Sequence, residues 1–312
     1  MTTAAPRAEG RIRTYARLAK LDIFDYYLSL PLVLSLLPLG LLTDPRILVL
    51  LGLFLLGEVV LMASLVAFDD LTGYRDGSDA INYGPDAPAR RKLRKPLVAG
   101  TLTPEQVRRF AWAAFATGAL LWAAAVGLAP EPPLWALALT ALMLVLYPQY
   151  SYGLKLSYIG LQECYLAAIG WVLVLAPYGL AGGELSGLVL VQAALFGLGP
   201  LLFGVYSNTN DVRGDRAVGR ITVATMTSAA GNRRFVLALT LAEMALIVGA
   251  PLLGLVPWWF AFALAPTLIL RGWQFTLGFR HGDILRARRM GIHVHRITTV
   301  LLIVVNLVVR QS

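Results

Sequence analysis

Residues Ser207 to Thr227 read S-N-T-N-D-V-R-G-D-R-A-V-G-R-I-T-V-A-T-M-T and follow directly on an apolar run. Asp211 and Asp215 lie four residues apart, and Asn208 lies three residues before Asp211, so all three share one face of a helix. Mg²⁺ prefers such hard oxygen ligands and usually takes only one or two carboxylates from a protein, together with substrate phosphate oxygens. The stretch therefore predicts a magnesium-bound phosphate at the end of a membrane span. On its own, a polar loop with solvated charges would explain it equally well.

A second acidic cluster stands in the same setting and favours the metal site. Residues Phe68 to Asn82 read F-D-D-L-T-G-Y-R-D-G-S-D-A-I-N and also lie at the end of a long apolar run. The carboxylates of this first cluster along the chain are Asp69, Asp70, Asp76 and Asp79. If both clusters open on the same side of the membrane, they can face one another across a cavity.

Composition identifies the class of protein. Of the 312 residues, 57% are hydrophobic and only 14% are charged, which excludes an ordinary soluble domain. The chain is predicted to be an all-α, polytopic membrane protein in contact with the lipid bilayer. The single cysteine, Cys164, lies in an apolar run, so neither a disulfide framework nor a cysteine metal site is expected. Basic residues are confined to particular loops, which indicates membrane orientation and argues against a nucleic-acid partner.

Crossing the hydrocarbon core takes about twenty apolar residues, and on that rule we place nine spans near the apolar stretches of the chain. The predicted spans are residues 23–43, 47–68, 107–129, 133–150, 160–180, 187–207, 235–255, 258–278 and 296–310. Residues 1–22 are basic and lack the apolar core and cleavage site of a secretory signal, so we expect an amphipathic segment on the membrane surface. Residues 1–312 are expected to form a single transmembrane domain.

The distribution of charge supports nine spans. The N-terminal segment and the loops after the second, fourth, sixth and eighth spans, counted with the nearer halves of the adjoining spans, hold all of the 27 lysine and arginine residues except Arg46 and Arg310. The positive-inside rule then places the N-terminus and these loops in the cytoplasm. Both acidic clusters lie in such loops, so they open on the same side of the membrane. We expect a cytoplasmic (inner) membrane location.

These residues resemble the UbiA superfamily of intramembrane prenyltransferases. The segment D-V-R-G-D-R-A-V-G-R-I-T is similar to the family's second motif, D-x-x-x-D followed by an arginine and G-[RK]-x-T. The first cluster is closest to the dihydroxynaphthoate branch, whose motif ends in G-[ST]-D, as Gly77 to Asp79 do. K-P-L-V-A-G-T-L-T from Lys95 and G-L-Q-E from Gly160 also resemble family segments. The resemblance implies nine transmembrane helices in a UbiA-type bundle around a central cavity.

The first cluster departs from the family pattern at two positions. Asp69 replaces the opening asparagine, and Gly73 stands where the family has its second aspartate, with an extra carboxylate at Asp76. Asp69 and Asp76 are seven residues apart and would share a helix face, which could move the ligand by one turn. Gly73 and Gly77 instead favour a turn or a broken helix.

The resemblance implies that Mg²⁺ helps an isoprenyl diphosphate to ionise and that an aromatic or other nucleophilic acceptor captures the prenyl cation. Glu163 falls in the family-like G-L-Q-E, and Glu243, inside a span, is expected to tie helices together. The predicted metal ligands are Asp69, Asp70, Asp76, Asp79, Asp211 and Asp215, and all of them except Asp69 are also predicted to be catalytic. The predicted substrate-binding residues are Asn208, Lys155, Arg75, Lys92, Arg94, Arg213, Tyr147 and Glu163.

Three functions remain open from the sequence. The first is a prenyltransferase. The second is a terpene cyclase of the same superfamily, in which the chain's own alkenes capture the cation, and the altered first motif motivates it. The third is a transporter or other non-catalytic membrane protein, which has no need for two magnesium-type clusters on one face.

Overall fold

The computed structural model describes residues 10–21, 25–83 and 94–311, and every named element in these ranges is helical. The all-α prediction is therefore confirmed for this part of the chain. The first helices are α1 (Arg11–Leu18), α2 (Ser29–Leu36), α3 (Leu39–Leu42), α4 (Pro45–Arg75), α5 (Ser78–Asn82), α6 (Pro104–Leu128) and α7 (Leu134–Leu146). The later helices are α8 (Gln162–Leu180), α9 (Gly187–Ala217), α10 (Val223–Met226), α11 (Ala229–Leu252), α12 (Phe260–Ala263), α13 (Ala265–Phe279) and α14 (Ile284–Gln311). Three 3₁₀ turns lie at Tyr26–Leu28, Tyr147–Gln149 and Leu156–Tyr158.

Within the described ranges, six helices are long and apolar enough to cross a membrane. These helices are α4, α6, α8, α9, α11 and α14. They correspond to the second, third, fifth, sixth, seventh and ninth predicted spans. The protein is therefore a multi-pass membrane protein, as its composition predicts.

The other three predicted spans are shorter or interrupted helices, each next to a proline. The first breaks between α2 and α3, where Leu37 is extended before Pro38, because the residue before a proline is disfavoured in helical geometry. The fourth consists of the 13-residue α7 continued by the 3₁₀ turn that contains Pro148. The eighth divides into α12 and α13 just before Pro266. Nine crossings thus remain a prediction.

Helices α4 and α6 approach each other closely because glycine stands at their contact. A Cβ atom on Gly57 would lie 2.4 Å from the Cδ1 atom of Trp122. The Trp122 indole N–H donates a hydrogen bond to the carbonyl of Phe54 at 2.9 Å, and Ser64 donates to the carbonyl of Ala111 at 2.8 Å. These contacts hold α4, whose C-terminal end carries the first acidic cluster.

Buried polar side chains join the helices elsewhere. Asn306 of α14 accepts a hydrogen bond from Gln192 of α9 at 2.6 Å and donates one to Ser35 of α2 at 2.8 Å. Glu243 of α11 pairs with Arg271 of α13 through two hydrogen bonds of 2.5 and 2.8 Å, and ties these helices together as expected. The charge count assigned Arg271 to the cytoplasmic side. In the structure its side chain is instead buried between α13 and α11, where the Glu243 carboxylate neutralises its charge.

Candidate active site

The first acidic cluster is divided between two helices. Asp69 and Asp70 lie in the last two turns of α4, which ends at Arg75. Gly77 then adopts a left-handed backbone with φ of 85°, a conformation that favours glycine, and α5 begins at Ser78. The cluster therefore does not form one continuous helical face, and Asp79 points back toward α4.

Asp76 lies at the break and serves the backbone and a neighbouring loop. One carboxylate oxygen accepts the backbone N–H of Ser78 at 2.9 Å, and the other accepts the Tyr158 hydroxyl at 2.5 Å. Asp76 is not among the residues that line the cavity described below. In the structure this predicted ligand therefore holds the turn and the loop that contains Tyr158, and its role as a metal ligand stays a prediction.

Gly73 leaves the space that the Asp79 carboxylate fills. A Cβ atom at this buried glycine would lie 2.9 Å from Asp79 Cγ and 2.9 Å from its Oδ2 atom. Carbon–carbon contacts are favourable only near 3.5–4.0 Å, so any side chain here would push the carboxylate away. The observed position of Asp79 therefore requires a glycine at position 73, where the family pattern has an aspartate.

The second acidic cluster lies on one unbroken helix. α9 extends ten residues past the predicted span end and includes Asn208, Asp211 and Asp215. Asn208 and Asp215 are buried, and Asp211 is half-buried. The shared helical face predicted from their spacing is present.

The two clusters meet at a cavity of about 170 Å³ between α4, α5 and α9. Its described lining includes carboxylates from both clusters, namely Asp69, Asp79, Asp211 and Asp215. Its remaining lining residues are Lys20, Ser78, Asn82, Tyr83, Lys95, Gln162, Ser207, Asn208 and Arg220. We call this space the aspartate cavity.

Two lysines neutralise the inner carboxylates of the first cluster. Lys20 and Lys95 each place Nζ 2.8 Å from Asp70 Oδ1, and Lys95 also lies 2.9 Å from Asp79 Oδ1. Burial alone would lower the pKa of Lys95, but Asp70 and Asp79 raise it well above its usual value. Burial raises the pKa of Asp79 to about 6, although Lys95 opposes that shift.

Asp69 is held from the opposite side of the cavity. Its Oδ1 atom accepts the Ser151 hydroxyl at 3.0 Å and lies 3.7 Å from a terminal nitrogen of Arg220. The Arg220 guanidinium stacks 4.9 Å from the centre of the Tyr158 ring. The loop before α8 and the loop after α9 also join where the Ile221 N–H donates to the Tyr158 carbonyl at 2.9 Å.

A buried network orients Asn208. Its amide donates to Glu163 Oε1 at 3.0 Å, and its carbonyl oxygen accepts from Gln162 at 2.9 Å. Glu163 also accepts the Val223 backbone N–H at 3.2 Å. Glu163 therefore contacts the second cluster through Asn208 and does not line the aspartate cavity.

Several predicted substrate-binding residues lie elsewhere. Arg75, Arg213 and Lys155 are exposed and do not line the aspartate cavity. Tyr147 is buried in the apolar core, 5.8 Å from the ring of Trp122. Arg94 lines a second cavity that adjoins the first. Lys92 lies outside the described residues.

The structure adds site residues that the sequence reasoning did not select. Lys95 begins the K-P-L-V-A-G-T-L-T segment and Arg220 belongs to G-R-I-T, so both carried a motif signal that could have identified them. Lys20, in the basic N-terminal segment, carried no such signal. Ser151 and Tyr158 lie between predicted spans, and only the fold brings them to the acidic clusters.

The aspartate cavity suits a metal ion that also takes ligands from a substrate. No three described His, Cys, Asp or Glu side chains are gathered closely enough to hold a metal ion by themselves. Asp79 Oδ2, on the cavity wall, is nevertheless buried without a hydrogen-bond partner, and so is Asp70 Oδ2, although Asp70 itself does not line the cavity. Carboxylate oxygens on the wall of a space that leaves room for further ligands, one of them without a partner, match the preference of Mg²⁺ for few protein carboxylates.

Residues 29–295 match the UbiA prenyltransferase family. The chain belongs to this family. Its fold is similar to that of a UbiA homologue from Archaeoglobus fulgidus bound to GPP and Mg²⁺, with a TM-score of 0.66. The two sequences are 16% identical, and the match covers 96% of this chain and 100% of that one. An apo UbiA homologue from Aeropyrum pernix K1 gives a TM-score of 0.64 and 18% identity over 97% of this chain and 100% of that one.

A digeranylgeranylglyceryl phosphate synthase shares the fold as well. It has a TM-score of 0.61 and 15% identity, with 95% of this chain and 98% of that chain covered. No curated protein matches the chain. At these identities the solved structures establish a common UbiA fold, and the assignment of individual residues depends on the geometry described above.

Proposed function

We propose that this protein is a Mg²⁺-dependent membrane prenyltransferase that ionises an isoprenyl diphosphate and transfers the prenyl group to an aromatic or other nucleophilic acceptor. The observation that carries the proposal is the aspartate cavity, where Asp69 and Asp79 of the first cluster meet Asp211 and Asp215 of the second. Family membership supports the reaction type, and homologues bound to GPP or DMAPP with Mg²⁺ support the donor and the metal.

Mg²⁺ would be held by the cavity carboxylates. The candidates on the cavity wall are Asp69, Asp79, Asp211 and Asp215, with Asn208 as a neutral oxygen ligand. Bound Mg²⁺ supplies Lewis-acid stabilisation of the departing diphosphate and orients it. Asp70, paired with two lysines, keeps the inner wall close to electroneutral.

Basic residues of the same cavity would stabilise the negative charge that develops as the carbon–oxygen bond breaks. Lys20, Lys95 and Arg220 all line the space, and Arg220 is stacked on Tyr158. Preorganised hydrogen-bond donors of this kind stabilise a developing charge most strongly where water is excluded. The lysines also hold Asp70 and Asp79 in place before the substrate arrives.

The prenyl chain would extend into the apolar core next to the cavity. Tyr150 and Tyr165 are buried there with their ring centres 5.0 Å apart, and Tyr147 packs nearby. Aromatic faces attract positive charge, and a buried wall keeps water away from an allylic cation. This arrangement supports a membrane-embedded catalyst for a lipid-soluble donor.

Nine crossings, a cytoplasmic N-terminus and a location in the cytoplasmic membrane complete the proposal. Residues 1–312 would form one UbiA-like domain, with the interrupted helices near residues 26–42, 134–149 and 260–279 as the three additional spans. The concentration of basic residues in alternate loops supports this orientation. Both acidic clusters would then face the cytoplasm, where soluble diphosphates and Mg²⁺ are available.

Activity on defined substrates tests the proposal. Detergent-solubilised protein is incubated with Mg²⁺ and geranyl, farnesyl or geranylgeranyl diphosphate, with and without dihydroxynaphthoate or hydroxybenzoate, and diphosphate release and organic products are measured. We expect release that requires Mg²⁺ and is lost in Asp211→Ala. A prenylated acceptor identifies a transferase, whereas a hydrocarbon or terpene alcohol formed without acceptor identifies a cyclase. Absence of Mg²⁺-dependent release with every donor would contradict both and favour a non-catalytic membrane protein.

A further inference from the structure

Glu58 is buried in the apolar part of the helix bundle and does not line the aspartate cavity. It lies near the middle of α4, and only 1% of the residue is exposed. The Ser29 hydroxyl donates a hydrogen bond to Glu58 Oε2 at 2.8 Å. Within the described part of the chain, Glu58 Oε1 has no hydrogen-bond partner. Ionisable residues inside membrane spans are costly, so an unused carboxylate oxygen there points to a function.

Other buried carboxylates of the bundle are neutralised by an arginine, and Glu58 is not. Glu243 pairs with Arg271 at 2.5 Å, and Asp25 pairs with Arg296 at 2.5 Å. Among the described residues, Glu58 has no basic partner and is bonded only to the Ser29 hydroxyl. A carboxylate that only ties helices together would be expected to have an ion pair or a second hydrogen bond, because a buried charge without one is destabilising.

A small cavity of about 30 Å³ lies beside Glu58. One water-sized group needs about 10–15 Å³, so the space holds about two such groups and no aromatic ring. Leu21 and Tyr27 belong to its lining and are exposed, so the cavity can be reached from the surface of the bundle. The other described residues that line it with Glu58 are Ala19, Tyr26, Val59 and Met62. We call this space the Glu58 pocket.

The Glu58 pocket and the aspartate cavity lie on two sides of the segment that follows α1. Ala19 and Leu21 line the Glu58 pocket. Lys20, between them, lines the aspartate cavity and places Nζ 2.8 Å from Asp70 Oδ1. A ligand in the Glu58 pocket would therefore be separated from the aspartate cavity by this one segment of chain.

Helix α4 also connects the two spaces. Glu58, Met62 and Asp69 follow one face of this continuous helix, at spacings of four and seven residues. At 1.5 Å per residue, Glu58 lies about 16 Å along the helix axis from Asp69, which lines the aspartate cavity. A ligand whose head group is at Glu58 would have its body on the helix face that leads to the place of ionisation.

The lining of the Glu58 pocket indicates the chemistry of its ligand. A carboxylate oxygen without a partner accepts a hydrogen bond from a hydroxyl group, and it disfavours the carboxylate or phosphate of an acid. Every other lining residue is apolar or aromatic. The small volume admits a hydroxyl group and leaves the rest of the ligand at the mouth. These properties fit a neutral phenol or alcohol that dissolves in the bilayer.

We propose that the Glu58 pocket binds the hydroxyl group of a neutral phenolic acceptor, so that this protein selects phenols over aromatic acids. The inference rests on the proposed function for its catalytic meaning, but the binding step can be tested without turnover. Glu58 is a specificity residue, because its Oε1 atom contacts the hydroxyl group and not the reacting carbon. The diphosphate is ionised in the aspartate cavity.

Equilibrium binding of three probes with one ring system tests the pocket. The probes are 2-naphthol, its methyl ether and 2-naphthoate, dialysed against the full-length chain in phosphatidylcholine nanodiscs with Mg²⁺ and saturating inorganic diphosphate. Empty nanodiscs measure the partition of each probe into lipid. We expect saturable naphthol binding and at least about tenfold weaker binding of the ether, which cannot donate a hydrogen bond, and of the anionic naphthoate. Equal binding of naphthol and its ether, or tighter binding of naphthoate, would overturn the proposal.

Glu58→Gln should change the preference between the probes. Ser29 donates to one side-chain oxygen, so the amide NH₂ group of the variant would take the other position and face the pocket as a donor. The preference for naphthol over its ether should fall from about tenfold to less than about twofold. Glu131→Gln makes the same change at an exposed position and should keep the wild-type preference. An unchanged preference in Glu58→Gln would contradict the assignment to Glu58.

A second variant fills the pocket and leaves Glu58 in place. Val59 is half-buried on α4 and lines the pocket, so Val59→Phe should weaken naphthol binding by about tenfold. Val60→Phe, at the adjacent half-buried position outside the pocket, is the matched control and should bind as the wild type does. This pair keeps the proposal testable if Glu58→Gln does not fold. Equal naphthol binding by the two phenylalanine variants would overturn the location of the site.

Turnover separates this inference from the proposed function and identifies the source of the hydroxyl group. With geranyl diphosphate and Mg²⁺, we expect prenylated naphthol and a KM for naphthol that rises by about tenfold in Glu58→Gln. Selective naphthol binding without any Mg²⁺-dependent diphosphate release would support the pocket as a hydroxyl site and refute the prenyltransferase. Displacement of naphthol by farnesol, together with diphosphate release but no prenylated naphthol, would assign the pocket to an isoprenoid alcohol and overturn the acceptor role.

Discussion

The two acidic clusters reach one cavity by different structural routes. The second lies on a single helix, α9, whose spacing alone places Asn208, Asp211 and Asp215 on one face. The first is broken at Gly77, and Asp79 returns to the cavity from a separate short helix. A ligand set carried by one helix can be predicted from spacing, whereas one assembled across a turn depends on the contacts that hold the turn.

The broken cluster also needs more support than the continuous one. Asp79 requires the empty space at Gly73 and the charge of Lys95, while Asp76 is used to fix the turn. Asp211 and Asp215 need only the continuation of α9 beyond its apolar part. We therefore expect substitutions to divide into those that remove a ligand and those that disturb the support.

Removing a ligand of the continuous cluster should have the largest effect. Asp211→Asn and Asp215→Asn should each lower Mg²⁺-dependent diphosphate release from geranyl diphosphate by about 10²–10³-fold, the typical loss when a preorganised electrostatic group is removed. Thermal unfolding should change little for Asp211, which is half-buried. Glu105→Gln, at an exposed ion pair on α6, is the control and should retain wild-type release. Full activity in both aspartate variants would refute the role of this cluster.

A methyl group at Gly73 should disturb the broken cluster without removing any ligand. Gly73→Ala places a Cβ atom 2.9 Å from Asp79 Cγ, so the carboxylate must shift and release should fall by about tenfold or more. Gly52→Ala, on the same helix with no atom within 4 Å, is the matched control. It should keep full activity and gain stability of about 0.5–1 kcal/mol from helix propensity. Equal activity of the two variants would show that Asp79 does not depend on the space at Gly73.

Asp76 and Asp79 should respond differently although both belong to the first cluster. Asp79→Asn should reduce release strongly, whereas Asp76→Asn should cost at most about threefold, because Asp76 binds Tyr158 and the Ser78 backbone outside the cavity. Tyr158→Phe removes one of the same hydrogen bonds and should resemble Asp76→Asn. Release and the KM for Mg²⁺ are the measurements. A loss in Asp76→Asn as large as that in Asp79→Asn, but absent from Tyr158→Phe, would assign Asp76 to the metal.

Sequence patterning was sufficient for the helical class, the six long spans and the continuous cluster, because these depend on local hydropathy and helical spacing. It did not predict the helix interruptions next to Pro38, Pro148 and Pro266. The length and mean hydropathy of a segment are the same whether or not a proline interrupts its helix. It also placed Arg271 on the cytoplasmic side, because a charge count cannot detect a buried partner such as Glu243.

The carboxylates of the candidate site could be predicted from motif spacing, but most of the residues around them could not. Asp69, Asp79, Asp211 and Asp215 line the cavity, and motif spacing had selected all four. Arg213 was selected for its charge beside the second cluster, and Lys155 as the one basic residue of a loop where the resemblance implies a basic side chain. Both are exposed, because neither criterion fixes the direction of a side chain. Lys20 reaches Asp70 across 50 positions of sequence, so only the tertiary fold brings the pair together.

The last prediction concerns the support of the continuous cluster, where the expected effect is on the KM for Mg²⁺ and not on turnover. Glu163→Gln keeps the shape of the side chain but replaces the charged carboxylate, which accepts hydrogen bonds from the Asn208 amide and the Val223 N–H, with a neutral amide. Hydrogen bonds to a charged acceptor are roughly twice as strong as neutral ones, so Asn208 should be held less firmly and the KM for Mg²⁺ should rise by about three- to tenfold. Cys164→Ser, at the exposed neighbouring position, is the control. Turnover at saturating Mg²⁺ should stay near the wild-type value, because Glu163 lies behind Asn208 and outside the cavity. Loss of turnover that saturating Mg²⁺ does not restore would contradict this supporting role. Glu163 would then contact the substrate, as its position in G-L-Q-E predicts.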